Sequence, residues 1–371
     1  MDFRLTDEQQ MLREGAERFL LESYGFDDRK RSLTAPAGCA EGVWQSFADL
    51  GWLALAVPES CGGLGAGLFE ATVLAEAMGR TAVVEPFATS AVLAVRLLEQ
   101  CGEAARRETL LAQLASGTLR VALACWEPGR HYELAAPMTR ATRTGDRFAL
   151  AGEKILAYDA PAAGKLIVSA ALDDEFALFL VDATARGLTQ RAYPLIDGRH
   201  AADLTLDGVS VDATALLCSG PDATGILDEA LDRQRVFEVA DALGAMERVV
   251  DLTAEHLRNR RQFGQPLAAF QALQHRMAEM FVEVQETRSA LYHALASMEK
   301  RPDRRNAAVS SAKVVAIEAG RIVGGQGIQL HGGVGMTSEY QVGHYYKRLL
   351  VLERAWGDLD FHLDRIARTY A

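Results

Sequence analysis

Asn259-Arg260-Arg261-Gln262-Phe263-Gly264-Gln265-Pro266-Leu267, followed by Phe270-Gln271 and Gln274, joins cationic and amide side chains to an aromatic ring and a glycine turn. A second stretch further along reads Gln329-Leu330-His331-Gly332-Gly333-Val334-Gly335-Met336-Thr337. Arginine makes charge-assisted bonds to phosphate oxygens, aromatic rings stack on nucleobases, and glycine amides reach an anion where a side chain would collide. Together the two stretches read as a grip for a pyrophosphate-bearing nucleotide. Neither follows a strand, so they are not the Rossmann fingerprint, whose glycines lie between a strand and a helix.

Helical sequence surrounds these stretches. Thr6 caps a helix with Met11, Leu12, Phe19 and Leu20 at roughly helical spacing and Asp7 and Glu8 in its first turn. A glycine loop, Cys61-Gly62-Gly63-Leu64-Gly65-Ala66-Gly67, follows Val57-Pro58, and helical patterns resume over 69–78, 90–98 and 103–115. From about Leu119 short β-prone runs take over (121–125, 138–142, 148–150, 166–170, 177–181, 202–206), and Gly145-Asp146 has hairpin character. Helical sequence returns near Thr224. The chain is therefore read as α+β and multidomain: an N-terminal α-helical domain over 1–118, a central β domain over 119–222 and a C-terminal α-helical bundle over 223–371.

Composition narrows the function classes. The 371 residues are 49% hydrophobic and 24% charged, enough for a substantial core. A net charge of -11 argues against a nucleic-acid surface. The five cysteines have no Cys-x-x-Cys spacing, so neither a zinc knuckle nor a disulfide frame is legible and a reducing compartment is expected. Met1–Glu8 reads as acidic and helical, not as a signal peptide, and no apolar run is long enough to span a bilayer. A cytoplasmic protein without membrane contact is the expectation.

Arg260-Arg261-Gln262-Phe263-Gly264 resembles the R-x-Q-F-G signature of the acyl-CoA dehydrogenase family, and Gln329–Gly335 its Q-x-x-G-G-x-G turn. The resemblance extends to the Leu5–Gln9 opening, to Val57-Pro58-Glu59 and to Glu127-Pro128. It implies a central β-barrel-like domain, a C-terminal four-helix bundle, and FAD shared across a subunit interface. By position Arg260 would face the pyrophosphate, Phe263 would lie at the adenine side, and Gln329, Gly332 and Gly333 would present amide groups. The reaction implied is α,β-dehydrogenation of an acyl-CoA thioester, with an electron-transferring flavoprotein as acceptor.

Three departures from the family's pattern stand out. Where the family's glutamate base stands in Y-E-G-T, this chain has Ala355-Trp356-Gly357-Asp358, and an indole cannot accept the proton. On the first helix of the C-terminal domain, Gln234, Glu238 and Asp241 share a face; Gln234 is no base, and Asp241 is the best remaining candidate, ahead of Glu238. At the flavin-ring motifs the chain reads Trp126-Glu127-Pro128-Gly129-Arg130-His131-Tyr132 and Gly152-Glu153-Lys154-Ile155-Leu156-Ala157-Tyr158-Asp159, without the family's hydroxyl and indole. This blend resembles the small subunits of two-component, pimeloyl-CoA-type acyl-CoA dehydrogenases, which implies a second dehydrogenase subunit and a heterotetramer. Two alternatives stay open: a self-sufficient homo-oligomer with Asp241 as base, and a non-catalytic scaffold subunit.

Overall fold

Thr6 closes the first helix, α1 (Asp7–Ser23), with a complete capping box: its hydroxyl accepts from the Gln9 amide at 3.3 Å and the Gln9 side chain accepts from the Thr6 amide at 2.9 Å. Such a cap is worth about 1 kcal/mol. The computed structural model describes residues 4–370, so Met1–Phe3 of the acidic opening fall outside the described residues, as does Ala371. Helices α2 (Phe26–Thr34), α3 (Glu41–Asp49), α4 (Leu68–Thr81), α5 (Val95–Gln100) and α6 (Ala104–Ala115) follow, with a buried π-helical stretch, Ala88–Ala94, running into α5. Strands then occupy β1 (Val121–Ala124), β2 (Arg140–Thr144), β3 (Arg147–Tyr158), β4 (Lys165–Leu172), β5 (Glu175–Asp182), β6 (Leu188–Pro194), β7 (His200–Asp212) and β8 (Leu216–Ser219). The chain ends in α7 (Pro221–Asn259), a short hairpin of β9 (Arg261–Gln262) and β10 (Gln265–Pro266), then α8 (Gln271–Leu295), α9 (Pro302–His331), α10 (Val342–Arg354) and α11 (Leu359–Tyr370).

These elements form two compact units. One comprises the chain up to Lys30, Leu68–Val83, and Arg235 onward; the other comprises Arg31–Gly67 and Val84–Gln234.

The second unit is built on a mixed sheet with pairing order β6-β7-β3-β2-β4-β5-β8, and β1 runs parallel to β4. Gly145-Asp146 is the two-residue turn between β2 and β3, with Thr144 opposite Arg147. Alternating inward residues fill the core, where the Phe148 and Phe179 rings meet edge to face at 5.2 Å. β6 and β8 carry no legible alternation. β6 is largely exposed and polar, and β8 is only four residues long, so neither shows the buried-face pattern that marks a strand. β3 outruns its expected three residues because Lys154 is buried as part of a network. Its ammonium donates to Glu127 at 2.6 Å and to Ser169 at 2.9 Å, while Glu127 also accepts the Met138 and Thr139 amides. Burial alone would raise the Glu127 carboxyl; the Lys154 charge and these donors outweigh it and hold it below the usual range.

In the other unit the long helices cross closely. A side chain at Gly79 would begin 2.0 Å from the Asp241 carbonyl oxygen, and one at Gly244 2.0 Å from that of Glu76, so α4 and α7 touch backbone to backbone. α9, whose buried face is dominated by Ala, Ser and Gly, packs against α8, α10 and α11. No helix among the described residues is long and apolar enough to cross a membrane.

Candidate functional site

Arg260 follows the last residue of α7 directly, and the hairpin β9–β10 lifts the next residues clear of the helices. Phe263 sits at the turn with φ 55 and is 88% exposed, its ring meeting Phe270 edge to face at 6.1 Å. Beyond that edge contact, an aromatic ring left this exposed in the left-handed region gains little from packing among the described residues. One helical turn before Arg260, the His256 ring lies 4.5 Å from that of His331, the last residue of α9, and His331 in turn lies 5.0 Å from Tyr340. The histidine contact brings the two nucleotide-type stretches to one end of the unit. Burial pushes both imidazoles below their ordinary range; the other histidine and Arg260 lower His256 further, while the Gly327 and Leu252 carbonyls partly offset the fall at His331. Both rings are neutral near pH 7.

The glycines beside them are not equivalent. Gly332 has φ 63 and ψ -143, a conformation open essentially to glycine alone. Gly333 is exposed, and a Cβ there would meet nothing within 4 Å, as is also true at Gly332. Gln329 is exposed on the last turn of α9. All five expected contact residues therefore lie on an open, outward-facing surface.

At the family's base position the geometry is the reverse. Trp356 is 1% exposed, has φ 60, and donates its indole N–H to Glu238 Oε1 at 2.8 Å. Arg235 Nε donates to the Trp356 carbonyl at 2.9 Å, and Lys313 Nζ holds the Leu352 and Ala355 carbonyls at 2.7 and 3.0 Å. These four bonds fix the loop between α10 and α11 with the indole inside the protein. Glu238 Oε2 is 3.9 Å from the Lys313 ammonium. The residual cavity beside Glu238 and Lys313 is only about 10 Å³, less than one water.

Asp241 is buried and accepts from Arg348, with Nε to Oδ1 at 3.2 Å and Nη2 to Oδ2. The sequence makes Asp241 the best remaining base candidate; the structure gives a buried ion pair with both carboxylate oxygens engaged. Gln234 is also buried. Sequence reasoning has no means of finding Arg348, because it lies 107 residues away on α10.

In the β domain, the residues that replace the family's ring motifs serve local structure. The Leu156 amide donates to Asp203 at 3.1 Å, Tyr193 donates to the same oxygen at 2.7 Å, and Leu156 holds φ 51. Trp126 is buried with its ring edge to face with Tyr132 at 5.4 Å.

Residues 6–118 match the family model for the acyl-CoA dehydrogenase N-terminal domain, and residues 224–371 match that for the C-terminal domain. The chain belongs to the acyl-CoA dehydrogenase family. Acyl-CoA dehydrogenase FadE27 of Mycobacterium tuberculosis is 31% identical over 339 residues, spanning 89% of this chain and 88% of that protein. Among solved structures, a variant of the Tcur3481-Tcur3483 steroid ACAD has a TM-score of 0.88 at 31% identity, covering 98% of each chain. The ChsE4-ChsE5 complex from Mycobacterium tuberculosis has a TM-score of 0.90 at 28% identity, covering 100% of this chain and 99% of that one. Membership makes the protein an oxidoreductase of CH–CH bonds in a family whose cofactor is FAD.

Proposed function

We propose that this acyl-CoA dehydrogenase-family chain is one subunit of a heteromeric enzyme and supplies the ADP-side contacts of an FAD whose ring lies on its partner. One contrast carries the reading: the nucleotide-type surface at Arg260–Gly264 and Gln329–Gly333 is open, while the base position is filled by a buried tryptophan hydrogen-bonded to Glu238. Arg260 would neutralise the pyrophosphate, Phe263 would cover the adenine, and the Gly332 and Gly333 amides would approach the phosphate oxygens. Bound FAD supplies the hydride acceptor for the β-hydrogen of the acyl thioester.

None of the three polar residues on this face of α7 offers a free carboxylate. Gln234 is an amide, Glu238 holds the Trp356 N–H, and Asp241 is tied to Arg348. The α-proton must then be taken by a base on the second dehydrogenase subunit. Similar solved structures named for two components, Tcur3481-Tcur3483 and ChsE4-ChsE5, support a paired assembly, and the steroid named in the first supports a bulky acyl thioester as substrate class. The electrons would pass on to an electron-transferring flavoprotein.

Purification of the chain alone and after co-expression with a second dehydrogenase subunit tests this directly. Flavin content, native mass and acyl-CoA-dependent dye reduction are read on each sample. Full flavin and activity are expected only for the pair, and Arg260→Ala on this chain should strip flavin from an assembly of unchanged mass. Stoichiometric FAD with acyl-CoA oxidation by the chain alone would overturn the division of labour. An Arg260→Ala assembly that keeps all its flavin would favour the scaffold reading.

A further inference from the structure

The end of α5 and strand β8 meet at a pair of thiols. Cys101, the residue that closes α5, donates its S–H to the Cys218 sulfur at 3.1 Å, and beside them the Gly102 amide donates to the Leu217 carbonyl at 2.9 Å. α7 begins at Pro221, shortly after Cys218, and its early turns are tied to the same helix: Glu229 accepts from Arg96 Nε and from Gln100 Nε2, each at 2.9 Å. All of these residues belong to one compact unit. The two sulfurs therefore sit at the joint where α5, β8 and the root of α7 come together, with a backbone hydrogen bond holding the chain beside them.

The two thiols are not equivalent. Cys101 is 3% exposed, whereas Cys218 is only half-buried, so a small oxidant in solvent reaches Cys218 first. The hydrogen bond from Cys101 favours the thiolate at Cys218 and draws that thiol down against the opposing effect of burial; the same bond, together with burial, pushes Cys101 up. One sulfur is thus placed to attack and the other to follow. Cys39 shows the contrast: it is buried, and burial pushes it up to about 12, which keeps it an inert thiol.

We propose that Cys101 and Cys218 form a reversible, peroxide-sensitive thiol pair, with Cys218 as the attacking sulfur and Cys101 as the resolving one. The Cys218 thiolate displaces hydroxide from the O–O bond of a peroxide and becomes a sulfenic acid, and the hydroxide takes up a proton to leave as water. The Cys101 thiol then attacks that sulfur, the S–O bond breaks, and a second water departs with the thiol proton. The peroxide gains two electrons, the two sulfurs lose them, and a dithiol reductant reverses the bond by exchange. In a reducing compartment such a bond is transient and redox-sensing, not a permanent structural link. While it lasts it closes a loop across 117 positions and locks the joint at the root of α7. Its chemistry is independent of the subunit reading above.

The purified chain or its complex is treated with hydrogen peroxide, with and without dimedone, and mapped by peptide mass spectrometry; thermal unfolding is followed before and after dithiothreitol. Wild type without dimedone should form a Cys101–Cys218 crosslink and gain about 5 °C or more in melting temperature, and dithiothreitol should reverse both changes. Cys101→Ser should halt at a dimedone adduct on Cys218, while Cys218→Ser should leave Cys101 unlabelled. Brief exposure of wild type to peroxide with dimedone gives the same order of attack without either variant: label is expected on Cys218 ahead of Cys101. Label appearing first on Cys101 would overturn the assigned roles. Oxidation of the half-exposed Cys61 with no crosslink at Cys101 would overturn the pair, and a crosslink that lowers the melting temperature would overturn the locked joint.

Discussion

Replacing Asp241 with asparagine separates the two roles this residue can hold. In the structure its carboxylate is buried against an equally buried guanidinium, with Arg348 Nε 3.2 Å from Oδ1. At an effective dielectric of about 20, opposite unit charges at that separation attract by roughly 5 kcal/mol, and the desolvation of both ions offsets much of it. Asparagine keeps the shape and removes the carboxylate charge that both Arg348 contacts rest on. That situation costs about 3–5 kcal/mol. Urea unfolding followed by circular dichroism should show a lowered midpoint at unchanged slope, equivalent to that loss. Asp241→Leu combined with Arg348→Met should recover much of it, since a packed apolar pair commonly replaces a buried ion pair at little cost. Flavin reduction by acyl-CoA in the assembled complex should fall only with the amount of folded protein. If Asp241→Asn changes stability by less than about 1 kcal/mol while flavin reduction disappears, Asp241 is the base and the ion-pair reasoning fails.

Three further outcomes are expected. Gly332→Ala should cost about 1–3 kcal/mol because of its backbone conformation, whereas Gly333→Ala should leave thermal unfolding unchanged and lower the flavin content of the complex; equal behaviour in both assays would contradict the open surface described at Gly333. Five histidines, among them His362, which is buried against the Ser310 hydroxyl, are held below the ordinary value of 6.5, in each case chiefly by burial. The unfolded chain binds these protons first, so stability should be full above about pH 6.5 and decline as pH falls through the depressed values. His362→Gln should flatten part of that decline in urea titrations from about pH 7.5 to 5, and a flat wild-type profile would refute the assignment. Cys101 and Cys218, 117 positions apart, place their sulfurs 3.1 Å from each other, with the Gly102 amide on the Leu217 carbonyl at 2.9 Å. The hydrogen bond from Cys101 draws the Cys218 thiol down. Hydrogen peroxide should therefore join them, two thiols and one peroxide giving one disulfide and two waters, seen as a loss of two hydrogens by mass spectrometry and absent in Cys101→Ser.

The layer order is legible in the sequence because period and turn chemistry are local. The capping box at Thr6 and Gln9, the Gly145-Asp146 turn and the apolar runs of β1, β4 and β5 each declare themselves within a few residues. The residues proposed to meet the nucleotide stand in short local motifs for the same reason, Arg260 and Phe263 in one and the glycine pair in the other. What stays hidden is pairing at long range. Asp241 reads as a candidate base because its partner is on α10, and the cysteines read as scattered because the end of α5 and β8 meet only in the fold. Trp356 can be read as the loss of a base, but its indole–Glu238 bond and the Arg235 and Lys313 clamps on its loop need coordinates.

That bond makes the substitution at 356 a ratchet. A glutamate installed there alone would bring a second carboxylate against Glu238, and two such groups at hydrogen-bonding distance cannot both stay ionised. It would also forfeit the indole that now fills the space and answers Glu238. Position 356 is therefore not one mutation from catalysis: Glu238 must be neutralised in the same step, and selection acting on single changes meets a barrier in that direction. On the subunit reading proposed above, a chain held in this way can explore new partners and new surfaces while its partner keeps the chemistry.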